Sequence, residues 1–140
     1  MVSDFLSGAA EMLTPDAEPD HWDVIEGQGS LFHPAYAAVT LGLIHGSQPD
    51  AMVLCHAVGR KVIDEYEDFA VPDLRDCIAR YEQAAALTAP LSRVIAISLN
   101  TETLSDAAAY QACEDASAAT GIPCLDPMRH DLSVILDALP

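Results

Sequence analysis

Two uninterrupted apolar runs of strand length, Ala51-Met52-Val53-Leu54-Cys55 and Val94-Ile95-Ala96-Ile97-Ser98-Leu99, constrain this chain most. A strand with one wet face alternates apolar and polar residues. A strand apolar at nearly every position is covered on both faces, as in a parallel sheet. Helical patterns separate these runs. Leu74, Ile78, Tyr81 and Ala85 recur at helical spacing after Pro72 and predict a helix to about Leu87. Ser105 stands as N-cap of a helix over 106–119 that stops at Gly121. Pro34 suits a first helical turn, so a helix is expected through Ala35 to Ile44, with Gly46 closing it. Two shorter strands are read at Trp22–Glu26 and Ile122–Leu125, with Trp22 as a packing residue at the start of the first. A last helix follows His130 or Asp131 and ends near Leu139. Crossovers through helices imply a three-layer α/β fold with a doubly wound, mainly parallel sheet, in one domain over 1–140.

Charge and cysteine usage narrow the function classes. The 140 residues hold 22 acids against six bases, a net charge of -16. So few scattered bases cannot track a phosphate backbone, which excludes nucleic acid and anionic membranes as partners. At 51% apolar residues the chain has material for a core. No apolar run approaches the roughly 20 residues that span a bilayer. The first residues, with Asp4 and Glu11 and no base, lack the start of a secretory signal, so a cytoplasmic location is expected. Cys55, Cys77, Cys113 and Cys124 form no CxxC pair and sit in apolar company, which predicts buried, reduced thiols. Cys55 and His56, adjacent on a strand, point to opposite faces and make no nucleophile–base pair.

Ligands of open α/β sheets bind beyond the carboxyl ends of the strands. Here those ends are rich in polar residues: Glu26-Gly27-Gln28-Gly29-Ser30 with His33, His56 with Arg60, Asn100-Thr101, and Asp126-Pro127-Met128-Arg129-His130. The opposite rim has no comparable set. Glu26, ending a buried strand, would take a proton or hold a magnesium-bound water, and the glycines after it would let backbone N–H groups approach an anion. Arg60 and Arg129 suit a carboxylate or phosphate. Among the other histidines, His45 sits in a last helical turn, where a cation meets the helix dipole favourably. His21 is expected to be exposed, and His130 to cap a helix.

The segments DFLSGAAE, DHWDVIEGQGSLFHPAYAAVTLGLIHGSQPDAMVLCH, ISLNT and CLDPMR resemble the C-terminal domain of the DgcN-type family, a former domain of unknown function with a P-loop NTPase-like fold. The resemblance covers nearly the whole chain. It implies N-acetylation of D-glutamate with acetyl-CoA as co-substrate, in a likeness of nucleotide-binding folds that also brings in magnesium and ATP or GTP. The chain lacks the strand, Gly-Lys-Ser/Thr loop and helix expected of such a domain, and so reads as the C-terminal portion of a larger one. By resemblance, Glu26 and His33 are catalytic, with Glu26 also a possible metal contact through water. Gly27, Gln28, Gly29, Ser30 and His56 match the family's motifs as substrate-site neighbours, and the implied chemistry needs cations for two substrate carboxylates, for which Arg60 and Arg129 are the well-placed choices. Asn100, Asp126 and Pro127 hold the cofactor. A small-molecule substrate and a homo-oligomer are expected. The rival readings are a P-loop ligase or kinase and an inactive oligomerisation module.

Overall fold

A computed structural model describes residues 5–27 and 29–140. Its centre is a three-stranded parallel sheet in the order β1-β4-β5, built from β1 (Ala51–Ala57), β4 (Arg93–Asn100) and β5 (Cys124–Leu125). Both apolar runs form adjacent strands, Leu54 beside Ile97 and Cys55 beside Ser98, with one register shift between Met52 and Val53. The core gathers Ile78, Val94 and Ile97, with Met52, Leu54, Leu74 and Tyr81 against them. Helix α3 (Leu74–Ala85) supplies its share through the 74, 78, 81 stripe. Asp73 caps this helix by accepting the Asp76 N–H. Helix α4 (Asp106–Thr120) ends where Gly121 takes a left-handed conformation at φ 76°. Ser105 is at its N-cap position, yet its side chain makes no capping bond, contrary to expectation.

Four further expectations are corrected. Trp22–Glu26 forms no strand: the segment pairs with no strand among the described residues, and Trp22 is 58% and Val24 96% exposed. With no ladder among the described residues to hold it, the segment stays outside the sheet, and Trp22 is not a packing residue here. Second, α2 (Ala37–Ser47) begins three residues past Pro34, because His33 to Tyr36 form turns that donate to the His33 and Ser30 carbonyls. Gly46 does not close α2. Gln48 does, in the left-handed region at φ 46°. Gly46 is buried where α1 (Phe5–Leu13) crosses, and a Cβ there would lie 2.7 Å from Ala10 Cβ; one at Gly42 would lie 2.9 Å from Leu6 Cβ. These small residues, four apart on one face, set how closely the helices approach.

Third, a hairpin not expected from the sequence follows β1. Strands β2 (Val62–Ile63) and β3 (Tyr66–Ala70) pair antiparallel around Asp64-Glu65, with Glu65 at φ 61°. Fourth, the closing helix α5 is short, Ser133–Leu136. The cysteines are free, as expected, and Cys77 and Cys113 are buried, but Cys55 is exposed. No helix among the described residues is long and apolar enough to cross a membrane.

Candidate functional site

The residues singled out above fall into three clusters, the first and third of them at the carboxyl ends of strands. The first lies beyond β4 and β5. Asp126 is buried at 3% exposure. One carboxylate oxygen accepts the Thr101 hydroxyl and the Thr101 N–H, the other the Met128 N–H at 2.8 Å, and Arg129 Nε lies 3.5 Å away. The Thr101 hydroxyl, then the backbone donors and Arg129, hold the Asp126 carboxyl below the usual range against the opposing effect of burial. Arg129 also pairs with Asp106 and donates to the Thr101 and Leu104 carbonyls. His130 Nδ1 accepts the Asp126 N–H, and its ring lies 4.3 Å from that of Tyr110. Asn100 Oδ1 accepts the Glu102 N–H. This cluster ties two strand ends to α4. It leaves Asn100 exposed beside a carboxylate and guanidinium already engaged within the protein.

The second cluster joins the loop after Trp22–Glu26 to the hairpin. Gly29 adopts φ 76°, and a Cβ there would stand 2.8 Å from Tyr36 Cβ, so the turn requires glycine. Ser30 Oγ accepts the Phe32 N–H, and Leu31 N–H reaches the Tyr81 hydroxyl on α3. His33 is buried between rings, 4.5 Å from Tyr36 and 5.1 Å from Tyr66 of β3. Its Nδ1 accepts the Ala35 N–H, so the neutral ring carries its proton on Nε2, as a donor. Glu26 and Gly27 are exposed at the near end of this loop. Gln28 lies outside the described residues.

The third cluster is at the end of β1. His56 is half-buried, and its pKa is lowered from 6.5, first by burial and then by the Arg60 charge, so it is neutral at pH 7. The turn after it, with Gly59 at φ 81°, leads to Arg60 and Lys61 in an open depression of about 600 Å³ shared with the hairpin residues Asp64, Glu65 and Glu67. Among the described residues the Arg60 guanidinium makes no ion pair. The Val58 N–H donates to the Asn100 carbonyl and joins this end to the first cluster.

Of the arginines, therefore, Arg60 has an open guanidinium and Arg129 a committed one. His45 donates to the Ala84 carbonyl at 2.9 Å and ties α2 to α3. His21 is exposed, beside Asp23. Among the described residues no group of three or more His, Cys, Asp and Glu side chains comes together that could hold a metal ion. Tyr66 and Tyr36, which enclose His33, escaped the sequence reading.

A parallel sheet flanked by helices, with polar groups at the carboxyl ends of its strands, defines an α/β domain. The family model that matches residues 1–136 is DUF1611_C, a domain of unknown function described as a P-loop domain, and the chain belongs to that family. The chain is 48% identical over 136 residues to a D-glutamate N-acetyltransferase of Pseudoalteromonas sp, covering 97% of this chain and 41% of that protein. It is 41% identical over 142 residues to a D-glutamate N-acetyltransferase of Tritonibacter scottomollicae, covering 99% and 42%. A crystal structure of a DUF1611 family protein from Anabaena variabilis superposes with a TM-score of 0.87 at 37% identity, over 99% of this chain and 41% of that one. The chain thus spans about two-fifths of the length of these relatives.

Proposed function

We propose that this chain forms the C-terminal, substrate-side part of an enzyme that N-acetylates D-glutamate with acetyl-CoA. The observation that carries the reading is the match of almost the entire chain to two relatives bearing that activity as their name. The local geometry is compatible with it. Glu26, exposed before a glycine turn, takes the proton from the substrate ammonium. The freed amine attacks the thioester carbonyl to form the C–N bond, and collapse of the tetrahedral adduct breaks the C–S bond, the second proton of the nitrogen passing to the departing coenzyme A thiolate. Backbone N–H groups of Gly29 and Ser30, with the His33 Nε2–H, stabilise the oxyanion. His33 thereby serves as a donor, and the base is Glu26 alone. Arg60 receives the distal carboxylate, since Arg129 is engaged by Asp106 and Asp126. Asn100 remains open toward the co-substrate.

The test uses this chain joined behind the preceding portion of the Pseudoalteromonas relative. Arg60→Lys keeps the charge and loses the planar fork, so the KM for D-glutamate rises roughly tenfold while activity on D-glutamine changes little. Equal losses on both substrates contradict the assignment. A calorimetric titration that shows magnesium-ATP binding and no acetyl-CoA binding would replace it with a nucleotide-dependent ligase or kinase.

A further inference from the structure

We infer that Tyr81 of α3 is a positioning residue for the Gly29–Ser30 turn, its hydroxyl and ring holding the two amides that meet the oxyanion, which rests on the acetyl-transfer reading above. The backbone amides of the turn carry the inference. Leu31 donates to the Tyr81 hydroxyl at 3.2 Å, Phe32 to Ser30 Oγ at 3.1 Å and His33 to the Ser30 carbonyl at 3.0 Å. These three N–H groups are spent inside the protein. The Gly29 and Ser30 N–H groups have no partner among the described residues, and they are the two left for a ligand. Two of the three internal bonds close within the turn and would travel with it. Of the three, only the Tyr81 bond reaches another element.

Tyr81 is itself held in place. It packs against the buried Ile78, Val94 and Ile97. The next residue, Glu82, accepts the Val94 N–H at 3.0 Å and ties this turn of α3 to β4, while the Ala84 carbonyl accepts from His45 of α2. Phe32 stands edge-on to the Tyr81 ring, with centroids 6.2 Å apart, a second contact to the same turn. The turn is therefore bonded to a helix that two neighbouring elements fix. Oxyanion donors work by being aimed before the reaction, and a displacement near 1 Å can cost about a hundredfold in rate. By helical spacing Tyr81 is one more stripe residue with Leu74 and Ile78, a role that phenylalanine would fill as well. The hydroxyl sets it apart.

The test is Tyr81→Phe in the fusion with the preceding portion of the Pseudoalteromonas relative. The ring and its packing stay, and the acceptor of the Leu31 N–H goes. Donors that act in the transition state set kcat and leave ground-state binding alone. The variant is expected to lose about tenfold in kcat, with KM for D-glutamate within about twofold of the parent. A purely structural role would instead lower the melting temperature and leave kcat per folded molecule unchanged, which overturns the inference. Hydrogen exchange at the Leu31 amide gives a readout independent of turnover. It should be protected in the parent and exchange about tenfold faster in Tyr81→Phe, with Ile97 of β4 unchanged. A Leu31 amide unprotected in the folded parent overturns the inference whether or not the variant folds. An active parent matched by its variant removes the role of Tyr81 and leaves acetyl transfer standing. A folded parent that forms no acetylated product overturns the acetyl-transfer reading, and the positioning role with it.

Discussion

At the scale of single residues, the strongest constraint lies in the buried Asp126 cluster rather than in the exposed Glu26 loop. Asp126 accepts from Thr101 and Met128 and is flanked by Arg129, so its ionised form is favoured in the fold. A carboxyl held below its unfolded value contributes stability above the unfolded pKa, and that contribution is lost as pH falls through the folded one. Asp126→Asn should therefore cost about 2 kcal/mol at pH 7, measured by urea unfolding, and the variant should lose less stability than the parent on acidification below about pH 4. His56 shows a smaller effect in a different window. Its folded pKa lies below 6.5, so the neutral ring favours folding above that value and the advantage disappears as pH falls from 6.5 through the folded pKa. His56→Gln should flatten the slope of stability against pH just below 6.5 in the same unfolding assay.

At the scale of elements, the crossing of α1 over α2 rests on Gly42 and Gly46. Gly46→Ala drives a methyl into Ala10 and the α1 backbone, and should lower stability by about 1–3 kcal/mol in thermal or urea melts, despite alanine's better helix propensity. This position shows what the sequence could and could not reveal. A glycine near a helix end reads as a terminator by local rules, and only the α1 contact reveals it as a packing residue. Elements whose signal is local and redundant were legible: β1 and β4 from continuous apolar runs, α3 from its stripe, α4 from Gly121. Trp22–Glu26 has the composition of a strand, but pairing is a long-range property and the segment finds no partner among the described residues. The hairpin was hidden because its turn uses Asp64-Glu65, with a non-glycine left-handed residue, instead of a glycine-bearing pair. The candidate site was legible as a list of strand-end side chains. Arg129, Asp126 and His33 change meaning only once their hydrogen-bond partners are known.

At the scale of the whole molecule, a chain of 140 residues, 22 of them acidic, builds a sheet that, among the described residues, ends in a two-residue strand at one edge and in β1 at the other. Under the proposed function a substrate with two carboxylates would meet a chain of net charge -16, so long-range repulsion would have to be offset by local cations, and Arg60 with Lys61 is the pair at the β1 end. Raising ionic strength from about 10 to 150 mM, where the screening length falls from about 30 to 8 Å, should increase kcat/KM for D-glutamate in the family-length fusion. Steady-state rates across a salt series check this, and a steep fall would indicate attraction from cations elsewhere. Acetyl transfer to D-glutamate with Glu26 as base is what we propose. Its most direct test is release of the coenzyme A thiol and appearance of N-acetyl-D-glutamate when that fusion is given acetyl-CoA and D-glutamate, with Glu26→Gln alongside. The account expects turnover in the parent and a loss on the order of a hundredfold in the variant at unchanged melting temperature. A folded fusion that forms no acetylated product, or one in which Glu26→Gln turns over as fast as the parent, contradicts it.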